Sequence, residues 1–104
     1  MMLLSGVVLI SACSQRVSVE SISHDPEKFT GKEITVAGRV ANLFAEDDNS
    51  AFELDDGTGR LWVVRENTNV PAHNSSVKVR GTIEQGLPFA GRRFVIALRE
   101  SRTK

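Results

Sequence analysis

The chain has 104 residues, with 13 Lys or Arg against 13 Asp or Glu, 40% hydrophobic residues and one Cys. That length holds a single domain, the lone Cys excludes a disulfide framework, and zero formal net charge excludes the whole-molecule positive field of a non-specific nucleic-acid binder. No multi-residue catalytic constellation stands out, so the chain is expected not to be an enzyme, and nothing in it implies a cofactor.

Residues 1–12 carry no charge, and Leu3, Leu4, Val7, Val8, Leu9 and Ile10 form an apolar run far shorter than the roughly 18 to 20 residues of a membrane span. The run has the character of a secretory signal, although the Lys or Arg that normally opens one is missing from Met1-Met2-Leu3-Leu4. It ends Ile10-Ser11-Ala12-Cys13, which resembles the lipobox of bacterial lipoproteins: an aliphatic residue, two small residues that fit a narrow peptidase pocket, and a Cys whose thiol takes the diacylglycerol. The resemblance implies a signal peptide over 1–12 and lipid attachment at Cys13. Two or three acyl chains at about 0.8 kcal/mol per buried methylene would anchor the chain at a membrane of the cell envelope. Ser14, where an Asp would retain the protein, implies the outer membrane facing the periplasm in enteric-type bacteria. On the residues alone, the alternative is a buried N-terminal element with Cys13 as a small core residue.

Residues 13–20 then form a polar, alternating tether to a domain over 21–100, with a tail at 101–104. Asp25-Pro26-Glu27-Lys28-Phe29 is a helix-start pattern: Asp25 caps, Pro26 takes the first helical position and Gly31 stops a single turn. Glu33 to Val40 alternates with period two, placing Ile34, Val36 and Val40 inward, with Gly38 on the same parity where a long strand bends. A polar loop over 46–50 leads to a strand containing Phe52 and Leu54. The turn Asp55-Asp56-Gly57-Thr58-Gly59 leads to another over Arg60 to Val64, with Leu61 and Val63 on one face and Trp62 and Val64 on the other. After a polar connector over 65–75, Ser76 to Glu84 forms a fourth strand with Val77, Val79 and Ile83 inward. Gly86-Leu87-Pro88-Phe89-Ala90-Gly91 reads as a loop, and Arg92 to Glu100 as a fifth strand with Phe94, Ile96 and Leu98 inward.

Five short strands with one long first strand hide their edges by closing. The segments from Asp25 to Lys32, Ile34 to Val40, Phe52 to Gly59 and Val77 to Gly81 resemble the OB-fold domains of the anticodon-binding type found in small bacterial lipoproteins. The resemblance implies an all-β fold, a small five-stranded OB-fold-like Greek-key barrel with a short N-terminal helical turn. It departs from a full-length OB-fold in two ways: the helix between strands three and four is reduced to a loop, and outward aromatics for stacking bases are sparse.

OB-folds take ligands on the outward face of strands two and three, between the loops that join strands one to two and four to five. Trp62 sits there, either to stack a ligand or to cover a barrel opening beneath the N-terminal segment. Leu87 and Phe89 form either a contact loop or a lid folded onto the core. Acids outnumber bases over 17–75 and bases outnumber acids over 76–104. The basic residues either track phosphates, through Arg39, Arg80, Arg92 and Arg93, or pair with acids across the barrel. His24 and His73 lie far apart and no second Cys exists, so a zinc site is not expected; Glu46, Asp47 and Asp48 lack the spacing of a calcium loop. The expected function is a membrane-anchored, non-catalytic binding module contacting a protein or envelope component through Trp62, Leu87 and Phe89. The alternative is single-stranded nucleic-acid or other oligomer binding.

Overall fold

The computed structural model describes residues 15–101 apart from Asp47 and Thr68. The apolar run, Cys13, Arg102 and Lys104 lie outside the described residues. The element order is β1 (Gln15–Arg16), α1 (Val19–His24), α2 (Pro26–Phe29), β2 (Glu33–Glu46), β3 (Asn49–Asp55), β4 (Arg60–Arg65), β5 (Ser76–Phe89) and β6 (Arg92–Glu100).

Strand β2 organises the barrel. Its first half pairs antiparallel with β5, from Glu33↔Thr82 to Arg39↔Ser76, and its second half with β3, from Arg39↔Asp55 to Glu46↔Asn49. The ring then continues from β3 to β4, to β6 in parallel, to β5 and back to β2. This closed order is that of the five-stranded OB-fold, as the sequence implied, and it leaves no long free edge. One strand can serve two partners because it bends. A side chain at Gly38 would bring its Cβ to 2.6 Å from the Asp55 carbonyl oxygen, so only glycine admits this close approach. The register shifts between Val40 and Asn42, a bulge that increases the local twist.

The inward parity of each strand converges on one core. Ile34, Val36 and Val40 meet Phe52, Leu54, Leu61, Val63, Val79, Ile83 and Leu98, all buried. Val19, Ile22 and Phe29 from the two short helices complete this core. The packed domain therefore starts before residue 21: β1 pairs with Ile34 and Thr35 of β2, Val17 packs against the core and Val19 is fully buried. Alternation of polar residues hid this, because Val17 and Val19 are spaced as in a strand yet Val19 opens a helix. The helical region also differs from expectation. Two turns form rather than one; Ser18 caps the first by accepting the Ser21 amide at 3.2 Å, whereas Asp25 makes no side-chain cap. Pro26 does start α2, and Gly31, with φ 82°, ends it.

No helix forms over 66–75 among the described residues; backbone and side-chain bonds hold this connector instead. The buried Ser50 hydroxyl donates to the Asn67 carbonyl at 2.6 Å, and Arg65 reaches both Glu100 and the Asn69 carbonyl. Asn74, in the left-handed region at φ 70°, donates its amide to the Val40 carbonyl at 2.8 Å, while Val40 donates to Ser75. Val40, one residue past the last β2–β5 pair, thus docks the connector.

Strands β2 and β5 run longer than their sequence patterns suggested. β2 continues past the bulge to pair with β3 as far as Glu46↔Asn49, so Glu46, Asn49 and Ser50 belong to strands rather than to a loop. The β5–β6 hairpin closes at Ala90-Gly91, both with positive φ, so Leu87, Pro88 and Phe89 belong to β5 rather than to a loop.

Candidate ligand face

The outer face of β2, β3 and β4 is built in cross-strand rows. Arg39, Asp55 and Arg60 form one row, Asn42, Glu53 and Trp62 the next, and Phe44, Ala51 and Val64 the third. Ala97 of β6 stands beside Trp62. Ala51, Val64 and Ala97 are buried, and their small size leaves a floor on which larger rings lie.

Four aromatic side chains close a ring on that floor. Trp62 stacks on Phe94 at 5.2 Å between centroids and 9° between planes, and Phe94 lies 6.4 Å from Phe89. Phe44 is 5.6 Å from both Phe89 and Trp62. Offset and edge-on arrangements at these distances contribute about 0.5–1.5 kcal/mol per pair beyond burial. The Arg92 guanidinium lies 5.1 Å over the Phe44 ring, a cation–π contact that holds a positive charge at the rim of the cluster.

Gly86 makes this arrangement possible. Up to Gln85 the hairpin buries Ile83 and Leu98 in the barrel core; beyond Gly86 it buries Leu87 and Phe94 in the aromatic cluster. Gly86 has φ 67°, a conformation that reverses which face the following residues present and that side-chain-bearing residues rarely adopt. Phe94 therefore leaves the inward set with Ile96 and Leu98 to which period two assigned it.

The predicted site residues divide accordingly. Trp62 faces outward as expected but is half-buried, packed against Phe44 and Phe94 among the described residues. Phe89 and Arg92 join it. Leu87, taken as a contact residue, is instead buried in the cluster that carries the rings and supports the face from below. Arg93 is folded back, donating to the Gly86 carbonyl at 2.8 Å. Arg80 points along the β2–β5 face, 3.6 Å from Glu33, away from the rings. Arg39 lies at the other end of the outer face, exposed. Sequence reasoning missed Phe44 and Phe94, and judged outward aromatics sparse; the structure corrects this. Asn42 and Phe44 continue the alternation once the bulge is allowed for, a signal that an eight-residue strand ending at Val40 concealed.

Ion pairs neutralise much of the remaining charge. Arg99 contacts Glu84 at 2.6 Å and Glu66 at 3.7 Å, and its pKa is raised, chiefly by the Glu84 hydrogen bond. Arg60 contacts Asp55 at 3.3 Å and Glu53 at 3.6 Å. Asp56 accepts the Val19 amide at 2.8 Å, the Thr58 hydroxyl at 2.7 Å and the Thr58 and Gly59 amides. Partial burial pushes its pKa up, but the bonds from Thr58, Val19 and Gly59 together hold it below the usual carboxylate range.

Neither a protein-family model nor a curated protein matches this chain. Solved structures do. The replication protein A heterotrimer bound to ssDNA is similar over 69% of this chain and 54% of its own, at 26% identity and a TM-score of 0.54. Asparaginyl-tRNA synthetase from Pyrococcus horikoshii is similar over 83% of this chain but 21% of its own, at 20% identity and a TM-score of 0.63. An OBody bound to hen egg-white lysozyme is similar over 72% of this chain and 81% of its own, at 20% identity and a TM-score of 0.56. The chain spans about half of the replication protein chain and about a fifth of the synthetase. These likenesses and the closed strand order agree that the chain folds as an OB-fold domain.

Proposed function

We propose that this domain is a non-catalytic binding module that takes a single-stranded nucleic acid across the outer face of β3 and β4. The observation that carries the reading is the ring of Phe44, Trp62, Phe94 and Phe89, with Arg92 at its rim, set between the β2–β3 and β5–β6 hairpins. The half-exposed rings of Phe44, Trp62 and Phe89 offer stacking surfaces worth about 1–3 kcal/mol per base, and Arg92 supplies a cation for the backbone. The likeness to a replication protein that binds ssDNA supports the same reading. Titrating the full chain with an oligothymidylate at low salt should quench Trp62 saturably. The affinity should fall with salt by about 0.7 log units per log unit for each phosphate held. Phe89→Ala and Arg92→Ala should both weaken it. No saturable change at any salt would refute the reading.

A protein ligand is the second reading, favoured by Leu43 and Val95, the exposed large hydrophobics among the described residues, 39% and 78% accessible, which neighbour Phe44 and Phe94 in their strands on the opposite parity. We also propose that Cys13 carries lipid and places the chain at the bacterial cell envelope, at the outer membrane. Gln15 already pairs with β2, so a lipidated Cys13 would leave only Ser14 between anchor and domain and hold the barrel against the bilayer. Labelled fatty acid should enter the wild type and not Cys13→Ser. With anchoring confirmed, capture from solubilised envelope of a partner lost on Phe89→Ala would favour the protein ligand.

A further inference from the structure

At the end of the outer face opposite the aromatic ring, an open groove of about 1000 Å³ lies between β2, the β3–β4 turn and the start of β5. Arg39, Lys78, His73, Asp55, Asp56 and Arg60 bring its charge. Each acid is already engaged. Asp56 accepts four donors, and Asp55 accepts the Gly57 amide while pairing with Arg60. Two of the cations are not. Among the described basic residues of β2–β6, Arg60, Arg65, Arg80 and Arg99 face acids, Arg92 lies on a ring and Arg93 on a carbonyl. That leaves Arg39 and Lys78, both exposed and both on this groove. They stand on paired strands, where Arg39 is opposite Ser76 and Lys78 opposite Ala37, so the two charges are diagonal neighbours. Small side chains at Ala37, Gly38 and Ser76 keep the space between them open. Two like charges so placed repel until an anion sits between them.

We propose that this groove is an anion subsite that holds a phosphate of the same strand whose bases lie on the aromatic ring, an inference that rests on the reading of the outer face given above. Phe44 lies five residues along β2 from Arg39, so the two ends are about 15 Å apart along the strand. A mononucleotide reaches one end only, and an oligonucleotide reaches both.

Two measurements on the full chain test this. The first is tripolyphosphate titrated against the isotopically labelled protein. Amides of residues 37–42 and 73–78 should shift saturably, and the shifts should vanish in Arg39→Ala/Lys78→Ala; shifts that do not saturate, or that fall elsewhere, overturn the subsite. The second follows Trp62 while thymidine monophosphate or an eight-residue oligothymidylate is added. The double variant should leave the mononucleotide unaffected and bind the oligomer about tenfold more weakly at low salt. Its salt dependence should be shallower by about 0.7 log units per log unit, the share of the one phosphate held in the groove. An oligomer that binds wild type and double variant alike overturns the subsite while the aromatic face stands. Tripolyphosphate binding in the groove with no oligomer binding upholds the subsite and refutes the nucleic-acid reading.

Discussion

Removing the Asp56 carboxylate should detach the N-terminal helices from the barrel. Its two oxygens accept the amides of Val19, Thr58 and Gly59 and the Thr58 hydroxyl, at 2.7 to 3.2 Å. Val19 follows the cap of α1 and is fully buried with Ile22, so this link positions part of the core. A hydrogen bond to a charged group contributes about 1.5–3 kcal/mol. The Thr58 donors are exposed and recover water, leaving the part-buried Val19 and Gly59 amides as the main loss. Asp56→Ala should therefore cost about 2–3 kcal/mol. Followed by Trp62 emission, the urea midpoint should drop by about 2–3 M for a slope near 1 kcal/mol per molar. Asp56→Asn adds a pH test. The folded protein holds this carboxyl at a lower pKa than the unfolded chain does, so its contribution is complete above the unfolded value of about 3.9. That contribution is lost as pH falls through the folded value. The excess stability of wild type over the Asn variant should thus be constant above about pH 5 and shrink below about pH 4. A midpoint change under about 0.3 M for the Ala variant, or parallel acid curves for wild type and Asn variant, would refute the reasoning.

Three further substitutions probe the packing. Gly81→Ala would drive its Cβ into the Arg99 carbonyl and the Leu98 side chain and should cost more than about 3 kcal/mol in urea, whereas Gly31→Ala meets nothing and should cost only the positive-φ penalty of about 1 kcal/mol. Phe94→Ala should cost about 3–4 kcal/mol and shift Trp62 emission, and a double-mutant cycle with Trp62→Ala should return a coupling of about 0.5–1.5 kcal/mol. Arg65→Met removes the Glu100 pair and the anchor of the 66–75 connector, and hydrogen exchange should speed at Asn69 and Asn74 more than in the core strands.

The barrel was legible because its cause is local. Ile34, Val36 and Val40, Leu61 and Val63, or Val79 and Ile83 recur every second residue, and a buried sheet face needs nothing more to be read. The turn at Asp55 to Gly59 and the helix start at Pro26 were legible for the same reason: glycine and proline act on their own backbone. The outward position of Trp62 followed from the parity of its own strand.

What surrounds Trp62 was decided by residues far from it in sequence. Phe44 reaches the face only because β2 bulges beside its β3 partner, and Phe94 only because Gly86, across the hairpin, reverses the strand. Val19 reads as part of a polar tether until Asp56, 37 residues away, accepts its amide. The charges follow the same rule: only the folded chain pairs Arg80, Arg99 and Arg60 with acids and leaves Arg39 and Lys78 without one among the described residues. Periodicity depends on the chemistry of each strand and survives in one dimension. A binding face depends on which strands become neighbours, and that exists only after the barrel closes.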